Sequence, residues 1–135
     1  MKLNAAFRLT AAAYKVVSGN TIEMSPQQFL ALAMPFGHQG GPKADMDKVH
    51  KLAQIKKWEN NPMLSVKENE EGELQVGLHD GRHRALAAIE RGDHLIHVDI
   101  VRGRKYAREH PETTDAEMAE RVVKEGLLSE LGEKV

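Results

Sequence analysis

Cysteine is absent from this 135-residue chain. Disulfides and thiolate catalysis are therefore excluded, and a reducing, cytoplasmic location is the expected one. Net charge is nearly absent as well: the formal value is -1, so no global field recruits nucleic acid or an anionic membrane, and any such contact has to be a local patch. Long apolar runs are missing too. None approaches the roughly 18 residues of a membrane span, and Met1 to Ala13 is too broken for a secretory signal, so no membrane partner is expected.

What is present is ordinary for a soluble globular protein. Hydrophobic residues make up 41% and charged residues 29%, and the length suits one core with a C-terminal extension. Tyr14 to Val17 and Thr21 to Met24 read as two strands around the turn Ser18-Gly19-Asn20. Ser25-Pro26-Gln27-Gln28 is a helix start, with Ser25 as N-cap, Pro26 in the first turn and Gln28 closing a capping box. Phe29, Leu30, Leu32 and Ala33 then face inward. Met34 to Ala44, rich in glycine and proline, is either a lid or a plain connection.

Asp45 to Asn60 has helical spacing at Met46, Val49, Leu52, Ala53 and Ile55. Trp58 reads as a packing residue, with base stacking as the alternative. Asp47 and His50 form an i, i+3 pair that suits a helix surface better than a metal site. Met63 to Val66 and Glu73 to Leu78 form a hairpin across an acidic turn, with Leu74, Val76 and Leu78 expected on one side. His94 to Val101 carries apolar residues on both faces and reads as an interior strand, with His97 and Asp99 sharing a face, as a simple hydrogen-bonded pair rather than a catalytic one, since no Ser, Cys or metal-ligand pattern completes a constellation. Arg102, Arg104, Lys105 and Arg108 form a local basic cluster: an exposed connector, or a contact for nucleic acid. A last helix follows Thr113-Thr114-Asp115, with Met118, Val122, Leu127, Leu128 and Leu131 as its apolar stripe, interrupted by Gly126. It either docks on the core or serves in a homodimer.

The most informative stretch is Asp80-Gly81-Arg82-His83-Arg84, between a strand and the small-residue helix Ala85 to Ile89 that Gly92 ends. Gly81 permits backbone angles closed to other residues, and Asp80 is the expected N-cap. Such a turn offers free amide N–H groups at the positive end of a helix, beside two guanidiniums and an imidazole. That is the make-up of a phosphate site, although a charged turn is also what solvated surface looks like.

These residues carry a resemblance. Asn61-Pro62-Met63-Leu64-Ser65-Val66, the hairpin, Asp80-Gly81-Arg82-His83-Arg84-Ala85-Leu86-Ala87-Ala88, Gly92 and the strand ending at Val101 resemble the superfamily of ParB N-terminal domains and sulfiredoxins. The match covers residues 45–101, and residues 14–44 more loosely. The resemblance implies an α+β fold, a small mixed sheet with flanking helices over residues 1–101, with residues 102–135 as a basic connector and C-terminal helix. It also implies a nucleotide site at Gly81, Arg82, His83 and Arg84, to which His38 and Lys43 of the Gly/Pro segment are added. Sulfiredoxins place their reactive cysteine where this chain has Arg82, so sulfinic-acid reduction is excluded.

Three functions follow as expectations. The first is nucleotide binding with phosphoryl hydrolysis or transfer, in which a divalent cation such as magnesium accompanies the nucleotide and Asp80 or Glu23 supplies the acid. The second is a ParB-like nuclease, which needs two carboxylates for metal and a basic track. The third is a non-catalytic nucleotide-gated or partner-binding module. A sequence-specific DNA clamp is not expected, because residues 102–135 hold one convincing helix.

Overall fold

The computed structural model describes residues 14–135. The reading of Met1 to Ala13 lies outside the described residues. Five strands form one mixed sheet: β1 (Lys15–Ser18), β2 (Thr21–Met24), β3 (Met63–Glu68), β4 (Leu74–Asp80) and β5 (Ile96–Arg102), in the order β1-β2-β5-β3-β4. Only β3 and β5 run parallel; the other neighbours are antiparallel. Among the described residues the α-helices are α1 (Pro26–Leu32), α2 (Met46–Ala53), α3 (Arg82–Arg91), α4 (Arg104–Glu109) and α5 (Asp115–Glu125). The architecture is thus α+β, a mixed sheet with flanking helices. No helix among the described residues is long and apolar enough to cross a membrane.

The register assigns the two faces of the sheet. Ile22, Met24, Leu64, Val66, Val98 and Ile100 share one face and are fully buried. Phe29 and Leu32 of α1, Ala85 and Ala88 of α3, and Met118, Ala119 and Val122 of α5 join them in a single core. Burial of one apolar face against helices is the main stabilising term in such a layer architecture. Thr21, Glu23, Met63, His97 and Asp99 share the other face, which stays partly open.

Local signals hold where they rest on capping chemistry. Ser25 caps α1 with the full capping box to Gln28, and Thr114 caps α5 in the same way with Glu117. Gly92 ends α3 at φ 82°, and Gly126 ends α5 at φ 84°. The interruption expected at Gly126 is thus the end of the helix, and the stripe does not run on to Leu131. Leu127 and Leu128 continue as an extended segment along β4, and Leu131 is exposed. The helix expected over Asp45 to Asn60 stops at Ala53, capped by Gln54. The supposed connector after Gly103 is helical as α4.

Leu78 departs most from its pattern. Alternation with Leu74 and Val76 predicts it inside, yet it is 71% exposed. Between the Leu64–His79 and Val66–Val76 pairs, β4 holds two residues where β3 holds one, so Gly77 and Leu78 form a bulge. The bulge flips the alternation and turns His79 to the helix side. Buried Ser65 accepts a hydrogen bond from the Leu78 N–H at 2.7 Å and so satisfies the amide that the ladder loses. Ser65→Ala is expected to destabilise the protein by about 1–2 kcal/mol, the cost of an unpaired part-buried amide, measurable by urea unfolding. An unchanged midpoint would mean that water replaces the hydroxyl.

Candidate functional site

The end of β4 and the start of α3 meet at Gly81, whose φ of 121° is closed to most side chains. Asp80 is not the N-cap, contrary to expectation. Gly81 occupies that position and α3 carries no side-chain cap. Asp80 is the last residue of β4, and its register opposite Met63 aims its carboxylate towards the open face instead. The N–H groups of Arg82, His83 and Arg84 thus stand at a helix N-terminus with no side-chain oxygen on them.

The guanidiniums are held in place mostly by carbonyls. Arg82 donates from Nη1 to the Met34 oxygen at 2.5 Å, and its guanidinium lies 4.0 Å from the Phe36 ring centroid. Arg84 donates from Nη1 to the Asn60 oxygen, and its Nη2 lies 3.4 Å from Asp80 Oδ2. A carbonyl fixes a guanidinium without neutralising it. Arg82 has no carboxylate partner among the described residues, and the one facing Arg84 belongs to a side chain that is 76% exposed. Positive charge is therefore concentrated here and only weakly compensated.

His83 plays a different part from the one expected. Its Nε2 accepts a hydrogen bond from the Asp45 N–H at 3.0 Å, and its ring packs 4.9 Å from Phe36. Desolvation first, then the charges of Lys48 and Arg82, push its pKa below the usual 6.5, against the opposing pull of Asp45. The ring is thus a neutral pin between the starts of α2 and α3. Because the unfolded chain takes up the proton first, stability falls as pH drops through 6.5 towards the lower native value and is complete above it. In urea unfolding between pH 5 and pH 7.5, His83→Gln should show a smaller loss than wild type; the difference isolates this ring from the other histidines. An identical pH slope would reject the assignment.

The remaining candidates divide. His38 opens a short 3-10 turn (His38–Gly40) and Lys43 is exposed; neither has a hydrogen bond or ion pair to the α3 turn. Their segment delivers Phe36 to the site instead. Glu23 lies on β2, opposite His97 at 3.7 Å. Asp80, Met63, Asp99 and Thr21 form one row across the sheet, which puts β2 three strand spacings from β4, roughly 14 Å. Glu23 and Asp80 therefore do not converge. His97 and Asp99 do not pair either: Asp99 accepts from Thr21 Oγ1 at 2.7 Å and from Asn61 Nδ2 at 3.1 Å. His50 bonds across to Glu90 at 2.5 Å, a helix-surface contact between α2 and α3.

Several residues at the site carried no signal in the sequence. Lys48 reaches His83 because α2 packs on α3. A cavity of about 440 Å3 opens at the turn, lined by Asp80 and Arg84 and by Leu52, Ile55, Lys57, Trp58, Glu59 and Asn60, so that two carboxylates stand against two cations. The Trp58 ring is braced by the Arg91 guanidinium at 4.1 Å and by its own Nε1–H, which donates to the Leu52 oxygen. A cavity of about 510 Å3 elsewhere has Glu68, Glu70 and Glu109 against Lys67 and Lys105, so its lining is acidic on balance, and it does not touch the Gly81 turn. The basic cluster is depleted: Arg102 is tied to Asp115 at 2.9 Å and to the Thr113 oxygen, which leaves Arg104, Lys105 and Arg108 exposed on α4. Compared with known proteins, the chain matches no family model, no curated protein and no solved structure.

Proposed function

We propose that the protein binds a phosphorylated small molecule, a nucleotide in the first instance, at the start of α3. The observation that carries this reading is the uncapped α3 N-terminus, flanked by Arg82 and Arg84 whose charges are fixed but scarcely neutralised. A phosphate would accept from the free amides and guanidinium edges together, and water-screened repulsion among the cations would be relieved. The neighbouring cavity, with one aromatic ring, aliphatic walls and the Asn60 amide, suits a base or sugar attached to that phosphate. The resemblance to ParB N-terminal domains and sulfiredoxins points the same way.

Binding is better supported than chemistry. Phosphoryl transfer or hydrolysis needs an acid at the turn, and of the two candidates only Asp80 is there. Among the described residues no three carboxylates or histidines come together to hold a metal. A magnesium ion would thus arrive with the ligand's phosphates and take Asp80 as its one protein carboxylate, supplying charge neutralisation. The nuclease alternative has part of its basic track occupied, since Asp115 holds Arg102.

Calorimetric titration with ATP, CTP, GTP and pyrophosphate, with and without magnesium, tests the proposal. At least one is expected to bind with a Kd in the micromolar to millimolar range. No heat and no chemical-shift change with any of them would reject it; phosphate release on top of binding would promote Asp80 to a catalytic role.

A further inference from the structure

The C-terminal segment touches this site through a relay that the binding reading does not use. After α5 the chain turns back on itself. The Ser129 N–H donates to the Glu133 oxygen at 2.7 Å, Ser129 Oγ accepts from the Glu133 N–H at 3.0 Å, and Leu128 bridges both β4 and Lys134. This closed turn presents Glu130 to the helix side of the sheet. The Glu130 N–H donates to the Leu32 oxygen at the end of α1, and its own oxygen accepts from Gln75 Nε2 on β4. The Glu130 position is therefore set by three elements before its side chain is considered.

Its carboxylate then meets His79, which the β4 bulge has turned inward: Oε2 lies 2.8 Å from Nε2, with the two side chains only 25% and 15% exposed. The Met34 N–H lies 3.2 Å from both Nε2 and Oε2. Both cannot accept it while also bonding each other. If Nε2 accepted, its lone pair would face the carboxylate with no hydrogen between them. The consistent arrangement has Nε2–H donating to Oε2, with the Met34 N–H donating to Oε2 as well. One residue's backbone thus links the tail to the site, because the carbonyl of the same Met34 holds Arg82, and Phe36, two residues on, stacks on that guanidinium.

We propose that Glu130 and His79 are positioning residues for the α3 turn: by clamping the Met34 amide they fix the carbonyl and the Phe36 ring that aim Arg82, so the C-terminal turn sets the strength of anion binding. The proposal rests on the reading of that turn as an anion site. A part-buried polar pair is a poor source of net stability, since desolvation offsets much of the attraction, but removing one partner releases whatever the pair holds in register. The contact is also directional, which a merely filled space would not be.

The test uses the full chain with pyrophosphate as probe at 25 °C, in wild type, Glu130→Ala, Glu130→Gln and, as a control on the same turn, Glu133→Gln. Glu130→Ala should weaken pyrophosphate three- to thirtyfold, roughly the range for a contact acting through another residue. Glu130→Gln, whose amide oxygen can still accept, should recover much of it, and Glu133→Gln should match wild type. Nitrogen-15 spectra supply a second readout independent of binding: in Glu130→Ala the Arg82 Nε–H signal should shift or broaden and the His79 ring should change tautomer. Wild-type affinity in Glu130→Ala would overturn the proposal. Should wild type bind none of pyrophosphate, ATP, CTP and GTP, the anion reading falls by itself, and the Arg82 signal then decides whether the relay exists: unchanged, it does not.

Discussion

Replacing Gly81 with alanine is expected to cost about 2–6 kcal/mol, the largest stability effect of any single substitution at the site. Two penalties combine. A φ of 121° is outside what an alanine adopts without strain, about 1–3 kcal/mol. The added Cβ would also stand 2.7 Å from Pro62 Cβ and 2.9 Å from Pro62 Cα. Neither neighbour can swing away, since one belongs to a closed ring and the other to the backbone at the start of β3, so overpacking adds about 1–3 kcal/mol more. Against a typical total of about 5–15 kcal/mol this is a large fraction, and it falls on the turn that aims the α3 amides. Urea unfolding with a fixed slope measures it. A loss below about 1 kcal/mol would show that the β4–α3 junction relaxes freely, and a preorganised amide cradle would then be untenable.

The second large effect is on binding. Arg84→Ala should weaken pyrophosphate or nucleotide by about ten- to a hundredfold, the equivalent of one lost charge-assisted hydrogen bond of roughly 1.5–3 kcal/mol. Arg84 suits the role because the Asn60 carbonyl and Asp80 hold its planar head at the cavity wall, so little side-chain entropy remains to be lost when a ligand arrives. Arg84→Lys should recover only part of the loss, since an ammonium keeps the charge without the fork. Arg104→Ala, exposed on α4, is the control and should change nothing. Equal affinity in wild type and Arg84→Ala, measured by calorimetry below the unfolding range, would remove Arg84 from the site.

Much of the architecture was legible without coordinates because it rests on local chemistry. Ser25 and Thr114 mark helix starts by their own hydroxyls, Gly92 marks an end by its backbone freedom, and Thr21 to Met24 alternates without interruption. Misreadings cluster where a non-local contact overrides a local pattern. Leu78 alternates correctly, yet a bulge completed by the Ser65 hydroxyl turns it out. Asp80 has the composition of a cap, yet pairing with Met63 keeps it in the strand. Arg102 looked available to nucleic acid until Asp115, thirteen residues on, took it.

The candidate site divides along the same line. That a glycine turn with two arginines opens a helix follows from residue order, because the strand, the turn and the helix are contiguous and their periodicities differ. Which charges remain available does not. Met34, Asn60, Phe36, Asp45 and Glu130 reach Arg82, His83 and Arg84 from distant parts of the chain, either directly or through one another, and only folding sets those distances. Electrostatic strength falls with separation and hydrogen bonds vanish beyond about 3.5 Å, so a list of residues names the groups at a site while the packing decides what each one holds.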